Sequence, residues 1–245
     1  MVVGRKQPTQ HTGLIFLDIF VTTLPYSECY RFRSASSQDG QGGFLVTGGQ
    51  QHDNEPTAEV YRGGKWTRGP DLPWYRFDHC QVLLGNTVYV TGGFASNSGQ
   101  PNYGHYASTL KLTEDGNWVE VGSLAVARDD FACAVHDGKI FAIGGNFDGH
   151  TPGDAYLSSV EIFDPASETW TFGPEFPQGL AYAQAFSWDG HLWVMGGNPG
   201  DGSGYNDILY RLEENVWKNT GIIVQENGAD HILPAQILDK NIIDC

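Results

Sequence analysis

The sequence predicts an all-β repeat protein, and two regularities in its 245 residues carry that prediction. The dipeptide Gly-Gly closes a short apolar segment four times, at residues 48–49, 92–93, 144–145 and 196–197. A tryptophan stands 26 residues before each of the last three pairs, at Trp66, Trp118 and Trp170. A tryptophan at a fixed distance from a Gly-Gly pair indicates that one structural unit of about fifty residues is repeated along the chain.

Each unit predicts four short strands. In the third unit, residues 131–136 and 139–143 are β-type segments joined by Asp137-Gly138, a typical two-residue hairpin turn. A loop of variable length follows the glycine pair, then a third strand such as 159–164, and the tryptophan opens a fourth strand. Four antiparallel strands per unit form the blade of a β-propeller, in which neighbouring blades bury one another's apolar faces.

The repeated unit resembles the kelch family. The resemblance lies in the apolar strand that ends in Gly-Gly, the aromatic residue of the third strand (Tyr61, Phe163 and Tyr210) and the tryptophan that opens the fourth. It covers roughly residues 24–245. The resemblance implies a propeller whose long-loop face binds partner proteins.

The two ends of the chain predict a closing blade. Residues 14–21 fit the fourth strand of a unit, and residues 228–245 repeat the first hairpin of one. We therefore expect four full four-stranded blades and one composite blade made from both termini, about five in all, with residues 1–13 loosely attached. The full repeats are expected near residues 26–68, 74–121, 127–172 and 180–219. In the alternative, an open ring would leave sheet edges and apolar faces bare and favour self-association.

Charge and cysteine usage restrict the kind of partner and the compartment. The formal net charge is −15 at pH 7, which disfavours nucleic acid and anionic lipid and favours a basic partner or simple solubility. No apolar run approaches the roughly 20 residues that span a bilayer. The four cysteines form no Cys-x-x-Cys pair, which excludes metal-knuckle and thioredoxin-type sites. Cys80 and Cys133 occupy near-equivalent positions in successive repeats, so we interpret them as reduced, small apolar core residues of a cytoplasmic protein, with secretion as the alternative.

Binding residues are expected on the face of the propeller that carries the long loops and the links between blades. The candidates are Tyr75, Arg76, Tyr103, His105, Arg128, Asp129, Asn146, Asp148, Tyr182 and Tyr205. Arg76 and Arg128 each precede a glycine pair by 16 residues and could grip an acidic peptide, because the guanidinium forms two bonds with a carboxylate. Alternatively, they are repeat-structural arginines that pair with a local acid such as Asp78 or Asp130.

The sequence assigns no catalytic residue, metal or cofactor. Three histidines fall in successive loops: His52, His105 and His150. Their distances along the sequence from the glycine pairs differ, which favours ordinary loop residues over the ligands of a metal site. Nucleophile elbows and phosphate loops are missing from the sequence. The leading hypothesis is a non-catalytic propeller that binds a protein or peptide. The alternatives are an enzyme or sugar-binding propeller that uses the axial funnel, as kelch-like oxidases and sugar-acid isomerases do, and a purely structural scaffold.

Overall fold

The computed structural model describes residues 33–50, 57–95, 104–147 and 156–223. These residues form 18 β-strands, and none of them lies in a helix. Within the same ranges, therefore, no helix is long and apolar enough to cross a bilayer.

Sixteen of the strands form four antiparallel sheets of four strands each, which we call blades 1 to 4. Blade 1 contains β1 (Ala35–Gln38), β2 (Phe44–Thr47), β3 (Ala58–Arg62) and β4 (Lys65–Arg68). Blade 2 contains β5 (Cys80–Leu84), β6 (Thr87–Thr91), β9 (Ser108–Leu112) and β10 (Trp118–Ser123). Between β6 and β9 the chain forms a separate two-stranded hairpin of β7 (Phe94–Ala95) and β8 (Gly104–His105). Blade 3 contains β11 (Ala132–His136), β12 (Lys139–Ile143), β13 (Val160–Asp164) and β14 (Thr169–Phe172). Blade 4 contains β15 (Ala181–Trp188), β16 (His191–Asn198), β17 (Ile208–Glu213) and β18 (Val216–Ile223).

The first strands of the four blades lie side by side in chain order. Strand β1 contacts β5, β5 contacts β11, and β11 contacts β15. Sheets that meet successively along their first strands form a propeller around a common axis, so the predicted fold class is confirmed. The proposed composite blade of residues 14–21 and 228–245 and the segment 1–13 lie outside the described residues.

The glycine pairs sit where one blade meets the link to the next. The backbone N–H of the second glycine donates to a link carbonyl in three consecutive blades: Gly49 to Arg76 O at 2.9 Å, Gly93 to Arg128 O at 2.8 Å, and Gly145 to Leu180 O at 2.7 Å. A Cβ atom on Gly48 would lie 2.3 Å from the Arg76 carbonyl oxygen, and one on Gly144 would lie 2.1 Å from that of Leu180. Only glycine fits so close to a neighbouring backbone, which explains the repeated pair.

The tryptophans anchor each blade to the one before it. The indole N–H of Trp118 donates to Pro70 O at 2.9 Å, that of Trp170 to Thr109 Oγ1 at 2.8 Å, and that of Trp217 to Pro174 O at 2.9 Å. The apolar part of each indole is covered at the same junction, and Trp217 is only 6% exposed. These rings therefore combine burial with a directional bond between blades.

The interpretation of Cys80 and Cys133 as reduced core residues is wrong, because a disulfide joins them. The two residues lie on β5 and β11, the neighbouring first strands of blades 2 and 3, with Cα atoms 6.1 Å apart. The error has a physical cause. The repeat pattern places both residues correctly along the chain, but it does not show that they face each other across a junction.

Candidate functional site

The antiparallel strand order places two kinds of segment at the same end of the propeller. These are the loops between the second and third strands of each blade and the links between blades at residues 69–79, 124–131 and 173–180. We call this end the loop face and the opposite end, which carries the hairpin turns, the turn face. The loop face is where the sequence predicts binding.

Arg128 holds both ends of the long loop in blade 3. Its Nη1 donates to Gly144 O at 2.8 Å and to Ser159 O at 2.9 Å, and its Nη2 donates to Ser159 Oγ at 3.0 Å. Nη2 also donates to Glu161 Oε1 at 2.7 Å, and both side chains are buried. The same carboxylate accepts the backbone N–H of Ala125 at 2.6 Å. Burial lowers the pKa of Arg128, and the charge of Glu161 opposes that shift.

Arg76 makes the matching bonds in blade 2. Its Nη1 donates to Gly92 O at 3.1 Å and its Nη2 to Ser108 Oγ at 3.2 Å, so it also spans both ends of a loop. The guanidinium stacks 4.3 Å above the ring of Tyr106. Among the described residues, no carboxylate forms an ion pair with it. Burial lowers the pKa of Arg76 to about 10, with Tyr106 opposing the shift.

Both arginines are 0% exposed, so neither guanidinium lies on the surface of the loop face in this structure. The geometry fits the alternative interpretation, in which they are repeat-structural residues. The acid that pairs with Arg128 is, however, Glu161 on the third strand of its own blade, rather than Asp130 beside it in sequence.

Four residues form an arc around the axis where the first strands of the blades begin. Arg33, Asp78, Asp130 and Tyr182 all adopt a left-handed backbone, with φ of 61°, 52°, 51° and 62°. The N–H of Asp78 donates to Arg33 O at 3.1 Å, that of Asp130 to Asp78 O at 3.3 Å, and that of Tyr182 to Asp130 O at 2.8 Å. We call this set the axial ring. Among the described residues its three backbone bonds join four consecutive blades in an open arc.

The side chains of the axial ring form an ion-pair network. Arg33 Nε donates to Asp78 Oδ1 at 2.7 Å, and Arg33 Nη2 donates to Asp130 Oδ2 at 3.1 Å. Burial and then the charge of Asp130 raise the pKa of Asp78 to about 8, and Arg33 opposes the shift. Burial and Asp130 likewise raise the pKa of the Tyr182 phenol. Carboxylate oxygens of Asp78, Asp129 and Asp130 lie within 4.8 Å of one another, a set that could attract a hard cation, but Arg33 already supplies positive charge there.

Three predicted residues meet beside the ring. Asp129 and Asn146 exchange backbone bonds of 3.0 and 2.9 Å, which ties the link of blade 3 to the start of its loop. The Nε2 atom of His105 lies 3.5 Å from Asp129 Oδ1, and its ring packs edge-on against Phe94. His105 belongs to β8, in a hairpin within the blade 2 loop that the sequence analysis did not predict.

The predicted tyrosines differ widely in exposure. Tyr75 is buried at 3% and packs against Phe77, Tyr182 is half-buried and packs edge-on against Tyr156, and Tyr205 is 60% exposed. Tyr103 and Asp148 lie outside the described residues. The structure adds two exposed aromatic residues on the loop face, Trp74 at 42% and Phe147 at 45%. The sequence analysis did not select either of them, because aromatic composition does not show which rings point outward.

A separate open groove of about 640 Å³ lies on the turn face between blades 3 and 4. Its lining includes His136, Lys139, Phe141, His191 and Glu214. Lys139 is paired with Asp164 and His136 is bonded to Ser187 Oγ at 2.9 Å. The groove is thus distant from the predicted binding residues.

Comparison with known proteins shows similarity to kelch proteins. A family model described as the Kelch motif matches residues 127–177. Kelch-like protein 35 from Homo sapiens is 34% identical over 145 residues, 58% of this chain and 23% of that protein. Kelch-like protein 38 from Homo sapiens is 26% identical over 230 residues, 91% of this chain and 38% of that protein. The chain therefore spans well under half the length of these relatives.

A solved structure shares the fold. The structure of YjhT superposes with a TM-score of 0.69 and covers 81% of this chain and 67% of its own, at 17% sequence identity. At this identity the likeness concerns the fold alone.

Proposed function

We propose that this chain, whose repeats resemble those of kelch proteins, is a non-catalytic module that binds a protein partner through its loop face. One observation carries the proposal. Trp74, Phe147 and Tyr205 expose 42%, 45% and 60% of their surface on that face, and each belongs to a different link or loop. Large aromatic residues on a rigid scaffold are the usual anchors of protein interfaces.

In this proposal the buried candidates position the loops. Arg76 and Arg128 each connect the two ends of a loop, so they act on the partner only through the loop that they hold. His105, Asp129 and Asn146 fix the base of the loop face beside the axial ring. Tyr182 and Tyr205 are proposed contacts, and Tyr103 and Asp148 retain that role from the sequence. Tyr75 supports the loop face from below.

The charge of the chain supports a partner with a basic surface. The formal net charge of the chain is −15 at pH 7. Complementary charge accelerates association and favours the correct partner more than it adds affinity.

The proposal is tested by removing one aromatic anchor at a time. Trp74→Ala, Phe147→Ala and Tyr205→Ala should each weaken retention of partner proteins by roughly tenfold or more, as expected for anchor residues. The measurement is quantitative mass spectrometry of proteins captured from source cells by the immobilised chain. Trp188→Ala is the matched control, since Trp188 is an exposed tryptophan on the turn face at 36%. If all three loop-face variants retain the same proteins as the wild type, the proposed surface is wrong.

A second candidate, binding of a small polar molecule at the axis, has the axial ring in its favour. The carboxyl groups of Asp78 and Asp130 and the phenol of Tyr182 stand together beside the guanidinium of Arg33, and burial raises the pKa of Asp78. A thermal-shift screen against sugars and sugar acids distinguishes the two candidates, because a saturable shift that Asp130→Asn abolishes would favour the axis.

A further inference from the structure

Apart from the polypeptide chain itself, the disulfide between Cys80 and Cys133 is the only covalent bond between blades among the described residues. It connects β5 to β11, the first strands of blades 2 and 3. The link lies just below the loop face. Cys80 follows Asp78 of the axial ring by two residues, Cys133 follows Asp130 by three, and the N–H of Asp130 donates to Asp78 O at 3.3 Å.

The other two described junctions are filled differently at the same place. The strand registers make Ala35 and Gln81 the equivalent pair between blades 1 and 2. There the amide of Gln81 donates to Leu45 O at 2.8 Å and to Ser37 Oγ at 3.0 Å. A polar network therefore bridges that junction.

Between blades 3 and 4 the equivalent pair is Ala132 and Ala185, which pack in one apolar cluster. A bonded pair of sulfurs is thus one of three ways in which this chain fills the same space. The alanine pair also shows that the fold tolerates an apolar junction without a cross-link.

The surroundings of the disulfide are those of a structural cross-link. Cys80 is 4% exposed and Cys133 is partly buried, and the side chains packed around the pair are apolar: Val82, Ala107, Leu124, Phe131, Ala142 and Trp170. Reactive and catalytic cysteines instead occupy partly exposed, electropositive environments. A buried disulfide in apolar surroundings is typical of proteins that mature where disulfides form and persist.

We infer that this propeller matures and works in an oxidising compartment, so that its partner is a secreted, lumenal or cell-surface protein. The cross-link forms when the two thiols lose their protons and join as Sγ–Sγ. The two electrons pass to the disulfide of a dithiol oxidoreductase, which is thereby reduced. The statement about the partner rests on the proposed binding function, but the compartment does not. This inference replaces the cytoplasmic location expected from the sequence.

The compartment is tested by trapping thiols in intact cells. A tagged chain carrying Cys29→Ser and Cys245→Ser, expressed in its native cells, is quenched in acid, alkylated in denaturant without reductant and digested. We expect nearly all peptides with Cys80 and Cys133 to be recovered joined to each other. Recovery of the two peptides separately alkylated would overturn the inference.

The structural role is tested by heating the purified chain with and without a reductant. Reduction should lower the melting temperature by roughly 5–15 °C, since a native disulfide that closes a long loop contributes several kcal/mol. Cys80→Ala with Cys133→Ala is the matched control, because it copies the Ala132 and Ala185 junction and should fold. Its melting temperature should not respond to reductant.

An equal response of the wild type and the double variant would overturn the structural role. Neither measurement involves a partner, so a negative result leaves the proposed function standing. Conversely, loss of partner capture with the cross-link intact would count only against the proposed function.

Discussion

In blade 3 the buried arginine is paired with a buried carboxylate, whereas in blade 2 a leucine occupies the position of that carboxylate. Arg128 and Arg76 bond to equivalent glycine carbonyls and to equivalent serine hydroxyls, Ser159 and Ser108. The residue that corresponds to Glu161 in blade 2 is Leu110, since each pairs with the residue two positions before the glycine pair. Leu110 packs against Leu72, Val90 and Trp118 instead of carrying charge.

The comparison separates two roles of a buried arginine. Connecting the ends of a loop needs only the guanidinium donors, and both blades achieve it. Neutralising the charge of the guanidinium needs a carboxylate as well. Of these two blades, only blade 3 supplies one among the described residues. The local cost of the missing partner is visible at His79, whose pKa falls to about 3 because of burial and the nearby charge of Arg76. The comparison can be tested by three measurements, taken from the largest expected effect to the smallest.

Removing the arginine should lower the stability most in blade 3, where the substitution leaves a buried carboxylate without its ion-pair partner. Arg128→Met leaves Glu161 buried and unpaired and should reduce the free energy of unfolding by about 3–5 kcal/mol. Arg76→Met loses hydrogen bonds but strands no carboxylate, so its cost should be at most about 2 kcal/mol. Urea denaturation at pH 7 measures both.

The double variant Arg128→Met with Glu161→Met provides the control, since it removes both charges. It should recover much of the stability lost in Arg128→Met. Equal losses in Arg128→Met and Arg76→Met would show that the carboxylate is irrelevant to the difference between the blades.

The uncompensated charge of Arg76 should also appear in the pH dependence of stability. The unfolded chain protonates His79 below its ordinary pKa of 6.5, whereas the folded protein keeps it neutral until about pH 3. The unfolded state therefore binds more protons in this range, and stability falls as the pH falls. Between pH 7.5 and 5 the contribution of His79 should decrease by about 2 kcal/mol.

The His79→Gln variant isolates this contribution, because only the titrating group is removed. Its free energy of unfolding should fall less than that of the wild type between the two pH values. Arg76→Met should fall by an intermediate amount, since it relieves the repulsion but not the burial. Identical pH profiles for the wild type and His79→Gln would refute the assignment.

The smallest effect on stability is expected at an exposed ion pair of blade 3. Lys139 Nζ lies 2.9 Å from Asp164 Oδ2, and the two side chains are 46% and 39% exposed. Because water screens this pair, Lys139→Met should change the free energy of unfolding by less than about 0.5 kcal/mol. A loss as large as that of Arg128→Met would mean that burial does not explain the blade 3 result.

The sequence pattern was sufficient for the fold because each repeated residue performs a local task. The glycine pairs accept the close approach of a link carbonyl, and the tryptophans reach back to the preceding blade, so both occur at regular spacing. The Asp137-Gly138 turn joins β11 to β12 as predicted. Because these contacts recur from blade to blade, the residues that make them recur at a regular spacing in the sequence.

Contacts between residues far apart in the sequence could not be predicted in the same way. The partner of Cys80 and the acid of Arg128 lie across a junction or on another strand, where sequence distance gives no guide. Asp78, Asp130 and Tyr182 share a spacing of 52 residues, but their common left-handed backbone is unusual for residues other than glycine and is not signalled by their identities. Exposure of Trp74 and Phe147 likewise depends on how the loops stand on the finished blades.

The axial ring has a consequence for protein engineering. Its three backbone hydrogen bonds do not depend on which side chains the residues carry, so they can persist when the side chains, with the ion pairs of Arg33, are exchanged as a set. Asparagine and glycine are the most suitable replacements, because they adopt this backbone conformation at the least strain. A new binding site can therefore be designed at the axis of the propeller by substituting these four residues together.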